Sequence, residues 1–69
     1  MREQVEIYLK AYGAMFQEKR EQCKLTQLEV AHQLGISQAI IGHIETGHML
    51  PNIEIEEALH QLYALRSNT

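Results

Sequence analysis

The segment SQAIIGHIETG, residues 37–47, carries the residue types best suited to chemistry in this chain. Ile41 and Ile44 lie three positions apart and are expected to face inward from a short helix. The side chains that then face outward belong to Gln38, Ala39, Gly42 and His43. Amides, methyl groups and imidazoles match the hydrogen-bonding and methyl edges of base pairs. The candidate chemistry is therefore contact with DNA bases.

Each residue of this face has an expected role. Gln38 is the strongest candidate because its amide can donate and accept at once and so read N6 and N7 of adenine, and Ala39 can meet a thymine methyl. Two adjacent isoleucines cannot both point fully inward, so Ile40 is placed at the groove edge. His43 can donate or accept, and a protonated imidazole would attract phosphate. Gly42 would let the backbone approach DNA closely, although it weakens a helix by up to about 1 kcal/mol. The alternative for the polar residues is an ordinary exposed side chain.

Other chemistry finds little support in the sequence. Four histidines and one cysteine are present, but their spacings are not of the CxxC or HxxxH type that supplies two zinc ligands from one turn. Cys23 is interpreted as a small core residue rather than a reactive thiol. No nucleophile–base–acid pattern and no glycine-rich phosphate loop occurs. We expect no enzyme activity, no metal and no cofactor.

The element that must position these residues is the stretch 25–47. Thr26 can cap a first helix, whose apolar residues keep helical spacing at Leu28, Val30, Ala31 and Leu34. Gly35 can end that helix in the left-handed conformation, and Ser37 can cap a second one. Two short helices joined by a tight glycine turn form a helix-turn-helix, whose second helix can enter a major groove.

This stretch closely resembles the helix-turn-helix of the Cro and lambda-repressor-like (Xre) family of small transcription regulators. The resemblance rests on LTQ at the start of the first helix, the Val30–Ala31 pair, the turn LGIS and the ending IETG. It covers about residues 14–65. It implies an all-α, lambda-repressor-like DNA-binding domain of four to five helices, with residues 1–69 forming one domain.

The resemblance also assigns backbone contacts. Gln27 matches the family glutamine that bonds a phosphate, helped by the amide groups at the start of its helix. Thr46 and His48 lie past the recognition helix, where family members contact the DNA backbone. Ser37 and its amide form a second candidate anion site at a helix start. Gln38 matches the family glutamine that contacts bases or braces another contact.

The N-terminal region predicts a long helix. Residues 2–23 contain no proline and one glycine, Gly13, and their apolar residues step by three or four. This pattern describes either one long helix or two short helices bent at Gly13. The family's first helix is shorter, so residues 1–12 resemble an N-terminal helical extension. Arg20 resembles the family arginine that pairs with the acidic residue ending the recognition helix, here Glu45.

The C-terminal region predicts a loop and a last helix. The loop HMLPN follows Gly47, and Asn52 can cap a helix over residues 52–66.

The charge is unusual for a DNA-binding protein, because the net charge is −3 and residues 25–69 hold one cation, Arg66, against five carboxylates. Counterion release, and with it non-specific DNA affinity, should be small. The single cysteine fits a reducing cytoplasm, and no apolar run is long enough to span a membrane.

These observations favour a homodimeric, sequence-specific repressor or autoregulator that binds a palindromic operator, in the cytoplasm and at the nucleoid when bound. A 69-residue chain is marginally stable alone, which favours self-association. The last helix and its preceding loop supply the expected dimer contacts, Met49, Leu50, Ile53, Leu59, Leu62 and Tyr63. The alternative dimer surface is the first helix, with Val5, Tyr8, Leu9 and Tyr12. The alternative function is a protein-interaction module, such as an antitoxin, anti-repressor or co-regulator, whose acidic face binds another protein.

Overall fold

Four helices make up most of the chain: α1 (Arg2–Gln22), α2 (Gln27–Leu34), α3 (Gln38–Glu45) and α4 (Ile53–Ser67). The computed structural model describes residues 2–67, and this part of the chain contains no strand. The predicted all-α fold is confirmed. Within residues 2–67, no helix combines the length and the apolar character that a membrane crossing requires.

The core lies where one face of each helix meets the others. Every helix contributes to it, as does the turn between α1 and α2, through Phe16, Leu25, Val30, Ala31, Ile41, Ile44, Leu59 and Tyr63. Burial of each large apolar side chain stabilises the fold by about 1.5–3 kcal/mol. Ile41 and Ile44 both point into this core, as their spacing predicted. Their burial directs the opposite face of α3 to solvent.

Local hydrogen bonds set the ends of α2. The Thr26 hydroxyl accepts from the Glu29 N–H at 3.0 Å, and the Glu29 carboxylate accepts from the Thr26 N–H at 2.9 Å, which forms a capping box. The hydrogen bond from the Thr26 N–H to the Glu29 carboxylate is the main reason that the pKa of Glu29 is lowered. The Thr26 side chain, next to the same carboxylate, lowers this pKa further. Gly35 ends the helix in the left-handed region at φ 70°. The predicted cap at Thr26 and the predicted stop at Gly35 are confirmed.

α1 is one continuous helix through Gly13, so the predicted alternative of a bend is wrong. The glycine is needed for a different reason, which is a close helix crossing. A Cβ at Gly13 would collide with the carbonyl oxygen of Ile44 and lie 2.8 Å from that of Glu45. Gly47 makes a similar approach, since a Cβ there would lie 2.9 Å from the Cα of Lys10. α1 therefore packs tightly across the C-terminal end of α3.

α4 lies beside α1 and runs in the same direction. The Asn52 side chain caps it by accepting from the Ile55 N–H at 2.9 Å, as predicted. The Tyr12 hydroxyl donates to the Glu56 carboxylate, and one turn further on the rings of Phe16 and His60 lie 5.2 Å apart. The pKa of Tyr12 is raised to about 12, mainly by burial and to a smaller extent by the hydrogen bond to Glu56.

The apolar face of α4 packs mainly into the core. Two residues that were predicted to form a dimer contact are therefore buried within the chain itself. Leu59 and Tyr63 are 1% and 3% exposed and pack against the other helices, so their assignment to a dimer surface is wrong. Their i, i+4 spacing marks one buried stripe of the helix. Met49 and Leu62 are partly buried against the same core. Of the six predicted residues, Leu50 and Ile53 remain as large exposed apolar side chains.

The two helical glycines Gly13 and Gly42 allow a matched test of this packing. Gly13→Ala should lower the free energy of unfolding by about 1–3 kcal/mol, because the added methyl collides with backbone carbonyls. Gly42→Ala should raise it by up to about 1 kcal/mol, because the nearest atom, Oε1 of Gln27, lies an ordinary 3.6 Å away. Urea denaturation measures both. Equal effects of the two substitutions would contradict the helix crossing.

Candidate nucleic-acid interface

A shallow groove runs along the outward face of α3. Seven of the nine residues proposed from the sequence for DNA contact line it together, namely Gln27, Gln38, Ala39, Gly42, His43, Thr46 and His48. The floor is formed where α2 meets α3, because Gln27 opens α2 and lies against Gly42. The outer rim is exposed at Gln38, Ala39 and His43. The groove thus presents amide, methyl and imidazole groups on one rigid helix face.

The other two proposed residues lie outside the groove lining. Ser37 precedes α3 in extended backbone at ψ 150°, and its side chain makes no capping hydrogen bond, contrary to the predicted cap. Its exposed hydroxyl and the start of α3 therefore keep their hydrogen-bonding capacity. Ile40 is partly buried and packs against the core. Ile40 therefore packs against the core and does not line the groove, contrary to its predicted position at the groove edge.

A buried carboxylate beneath the groove holds three elements together. Glu45, which is 4% exposed, ends α3. It accepts from Nε and Nη2 of Arg20 at 2.7 and 3.1 Å, and from Nε2 of Gln27 at 3.0 Å. Arg20 also donates to the Leu25 carbonyl at 2.7 Å. The predicted pairing of Arg20 with Glu45 is confirmed, and the hydrogen bond to Glu45 raises the pKa of Arg20.

This arrangement positions the Gln27 side chain. One N–H of its amide is used by Glu45, and the remaining groups lie beside Gly42, with Oε1 3.6 Å from the position of an added Cβ. A glutamine amide has two donor hydrogens and an accepting oxygen. A second donor and the oxygen are thus held at the groove floor, at the beginning of α2. Because α2 starts here, its first backbone N–H groups point to the same region.

Hydrogen bonds also order the C-terminal end of the groove. The Thr46 hydroxyl donates to the Gly42 carbonyl at 2.8 Å, and its oxygen lies 2.7 Å from Nδ1 of His48. The rings of His43 and His48 lie 5.9 Å apart in an edge-to-face arrangement. The His48 N–H donates to the His43 carbonyl at 2.8 Å. Two imidazoles and a hydroxyl are therefore fixed where α3 ends.

The electrostatics of the groove are close to neutral. The seven lining residues include no lysine, arginine or carboxylate, and their ionisable members are His43 and His48. The charge of Glu45 is compensated below the groove by Arg20. A ligand bound at this surface would therefore be recognised by directed hydrogen bonds and shape more than by charge.

The sequence did not reveal two of these contacts. The bond from Gln27 to Glu45 joins residues 18 positions apart, and no local pattern indicates it. The contact between Thr46 and His48 joins residues two positions apart, and no local pattern indicates it either, whereas the Thr46 bond to the Gly42 carbonyl follows the tendency of threonine near a helix end to bond the i−4 carbonyl. Both contacts orient side chains that had been proposed independently for phosphate contact.

α2, the turn at Gly35 and α3 form a helix-turn-helix, in which α3 takes the position of the recognition helix. The sequence model of the helix-turn-helix family matches residues 16–65. The chain belongs to this family, which comprises DNA-binding regulators of the Xre and lambda-repressor-like type. No curated protein and no solved structure matches the chain.

The contribution of the Arg20–Glu45 pair to stability can be tested by substitutions at Arg20. Arg20→Lys keeps the charge but loses the planar fork, and should lower the free energy of unfolding by about 1–2 kcal/mol. Arg20→Met leaves Glu45 buried without its counter-ion and should cost about 3 kcal/mol. Lys19→Met, at the exposed neighbouring position, should change stability by less than about 0.5 kcal/mol. An Arg20→Met variant as stable as the wild type in chemical denaturation would refute the proposed role of the pair.

Proposed function

We propose that this protein is a homodimeric, sequence-specific transcriptional regulator that binds a palindromic operator and represses by occupying it. The observation that carries the proposal is the groove itself, in which seven residues proposed for DNA contact lie together, four of them on one face of α3. Membership of the helix-turn-helix family supports DNA as the ligand. We place its action in the cytoplasm, at the nucleoid. A dimer would set two recognition helices in successive major grooves about 34 Å apart.

Base contacts would come from the exposed rim of the groove. Gln38 begins α3, and recognition helices present their first residues to base edges. Its amide suits the N6 and N7 atoms of adenine. Ala39 follows with a methyl that fits the methyl of thymine, and His43 lies one turn further along the same face. Gly42 lies between them and leaves the space that a close approach of the DNA requires.

Backbone contacts would come from the two ends of the groove. At one end, Gln27 and the first N–H groups of α2 offer donors to a phosphate, and Ser37 adds a free hydroxyl at the start of α3. At the other end, Thr46 and His48 offer a hydroxyl and an imidazole. Phosphate contacts of this kind set the register of the protein on the duplex. They would replace the lysines and arginines that the groove lacks.

A second candidate function has its own support. The net charge of −3 and the neutral groove also suit a protein-interaction module on the same fold, such as an antitoxin, anti-repressor or co-regulator that uses an acidic face. Such a module would bind a protein with high affinity and DNA weakly or not at all. DNA selection therefore separates the two functions.

Base recognition can be tested by selection from a random-duplex pool at low salt. The wild type should enrich a palindrome whose half-sites lie about one helical turn apart. Gln38→Ala should relax the preference at one base pair of each half-site, because each good bidentate contact contributes about 1–3 kcal/mol of discrimination. Gln61→Ala removes an exposed amide on α4 and should leave the motif unchanged. No enrichment at any salt concentration would exclude the repressor function and favour the protein-interaction module.

Gly42→Ala separates stability from DNA affinity. The added methyl has room within the folded chain, so the fold should be preserved or strengthened. The same methyl projects into the groove and should weaken binding to the selected operator by about tenfold, which corresponds to about 1.4 kcal/mol. Fluorescence anisotropy with labelled operator measures the affinity. Unchanged affinity would show that the DNA does not approach this face of α3 closely.

A further inference from the structure

The hydrogen bonds at the C-terminal end of the groove determine where the protons lie. Oγ1 of Thr46 lies 2.8 Å from the carbonyl oxygen of Gly42 and 2.7 Å from Nδ1 of His48. A hydroxyl has one hydrogen to donate, whereas a carbonyl oxygen can only accept. The hydrogen of Thr46 therefore lies on the bond to Gly42, because two oxygens at this distance would repel each other without a hydrogen between them.

Thr46 consequently fixes the tautomer of the His48 ring. Since the hydroxyl hydrogen is already used, the contact at 2.7 Å is a hydrogen bond only if Nδ1 of His48 donates to the hydroxyl oxygen. A neutral imidazole has a single N–H. The neutral ring therefore carries its hydrogen on Nδ1 and leaves Nε2 as a bare acceptor. Because the ring is exposed and lines the groove, Nε2 is the ring nitrogen left to meet a ligand.

A bare Nε2 cannot bind a phosphate. Phosphate oxygens accept hydrogen bonds, so a phosphate needs a donor, and the lone pair of a neutral His48 would repel it. The hydrogen of Thr46 is no substitute, because it is bound to Gly42. A second proton on the ring converts Nε2 into a charged donor, while Nδ1 keeps its bond to Thr46. The imidazolium thus satisfies both the hydroxyl oxygen and a phosphate.

We infer that His48 binds a DNA phosphate as the imidazolium, so that each chain takes up a proton when it binds DNA. The inference rests on the proposed function and deepens it, because it names the donor and its protonation state at this end of the groove. Thr46 is then the positioning residue that holds the ring. Because proton uptake and DNA binding are linked, a lower pH strengthens the binding of DNA.

The end of α3 favours a cation on His48. The His48 N–H donates to the His43 carbonyl at 2.8 Å, where the carbonyl groups of the helix end carry partial negative charge. The ring of His43 lies 5.9 Å away, and charges on both rings would oppose each other. Within residues 2–67 no hydrogen bond fixes the tautomer of His43. A neutral His43 can therefore present an N–H to DNA without taking up a proton, whereas His48 cannot.

The other charges near this end come from α1 and α3. Glu45 ends α3 beneath the groove and is paired with Arg20 of α1, and Lys10 of α1 lies against the turn that precedes His48. The groove residue of α2 is the neutral Gln27. Glutamate, arginine and lysine ordinarily keep their charges between about pH 5 and 8, where histidine titrates. The histidines of the groove are therefore the groups whose charge changes in this range.

NMR of the free protein tests the tautomer. At a pH at which the ring is neutral, the ¹⁵N shifts of His48 should report a hydrogen on Nδ1 and a bare Nε2, whereas those of His43 should report a mixture of tautomers. Thr46→Val keeps the branched shape but removes the hydroxyl, so His48 should lose its preference for Nδ1–H. A wild-type His48 with its hydrogen on Nε2 would overturn the inference. Because no DNA is present, this outcome does not depend on operator selection.

The pH dependence of DNA affinity tests the proton uptake. Fluorescence anisotropy with the selected operator, at fixed salt between about pH 8 and pH 6, should show the wild-type affinity rising by up to about tenfold per pH unit for each chain bound. His48→Gln offers a neutral amide donor at every pH and should lose most of this rise. Thr46→Val should flatten the rise by increasing the affinity at the higher pH. His43→Gln, the matched control on the same groove, should retain the rise. Circular dichroism confirms that each variant remains helical.

The salt dependence gives a second measurement of the same contact. The slope of log affinity against log salt should steepen by about 0.9 per chain at the lower pH, because the imidazolium adds one ion pair with a phosphate. His48→Gln should show no such change. An affinity that does not vary with pH, or a rise that His43→Gln removes and His48→Gln retains, would overturn this inference and leave the proposed function intact. Absence of DNA binding at every pH would overturn both.

Discussion

The ion pair between Arg20 and Glu45 determines how the three helices around the groove are arranged. A carboxylate withdrawn from water costs several kcal/mol unless donors compensate it. Here three N–H groups do so, two from Arg20 on α1 and one from Gln27 on α2. A rotation of α3 by one residue, about 100°, would carry Glu45 away from all of them. The pair therefore specifies the orientation of α3 more than it adds net stability, and this orientation turns Gln38 and His43 outward.

A second constraint acts on the backbone of the same helix end. Gly13 lies against the carbonyls of Ile44 and Glu45, and Gly47 lies against Lys10, so two glycines allow α1 to cross within van der Waals contact of the turn after α3. Close crossing leaves little room for the helices to slide, because backbone atoms do not change rotamer as side chains do. Glu45 is thus held by its side chain through Arg20 and by its carbonyl beside Gly13. The C-terminal end of α3 and the part of α1 that crosses it are consequently held in one arrangement.

The sequence predicted most of the features whose causes are local, although the predicted side-chain cap at Ser37 is absent. The caps at Thr26 and Asn52 and the stop at Gly35 depend on residues within four positions, and the structure contains each of them. Apolar periodicity also identified the buried faces, but it could not say which neighbour covers them. Leu59 was assigned to a dimer surface although it belongs to the core. Gly13 suggested a bend for a similar reason, since a sequence does not show which backbone crosses a glycine. Seven of the nine residues predicted to contact DNA lie together because one short helix, α3, carries most of them.

A neutral groove changes how such a protein must discriminate between DNA sites. Few cations mean little counterion release, so affinity for arbitrary DNA would be low and would fall only shallowly with salt. Each half-site of the proposed operator would then be bound mainly by short-range contacts, which form only where the bases fit. Such contacts give selectivity but little affinity from one chain. Joining two chains makes the second half-site contact effectively intramolecular, which multiplies affinity without adding charge. That gain depends on geometry, because it disappears when the two recognition helices cannot reach successive grooves at once. In such a dimer, the orientation of the two α3 helices relative to each other is therefore the feature on which operator affinity would depend most.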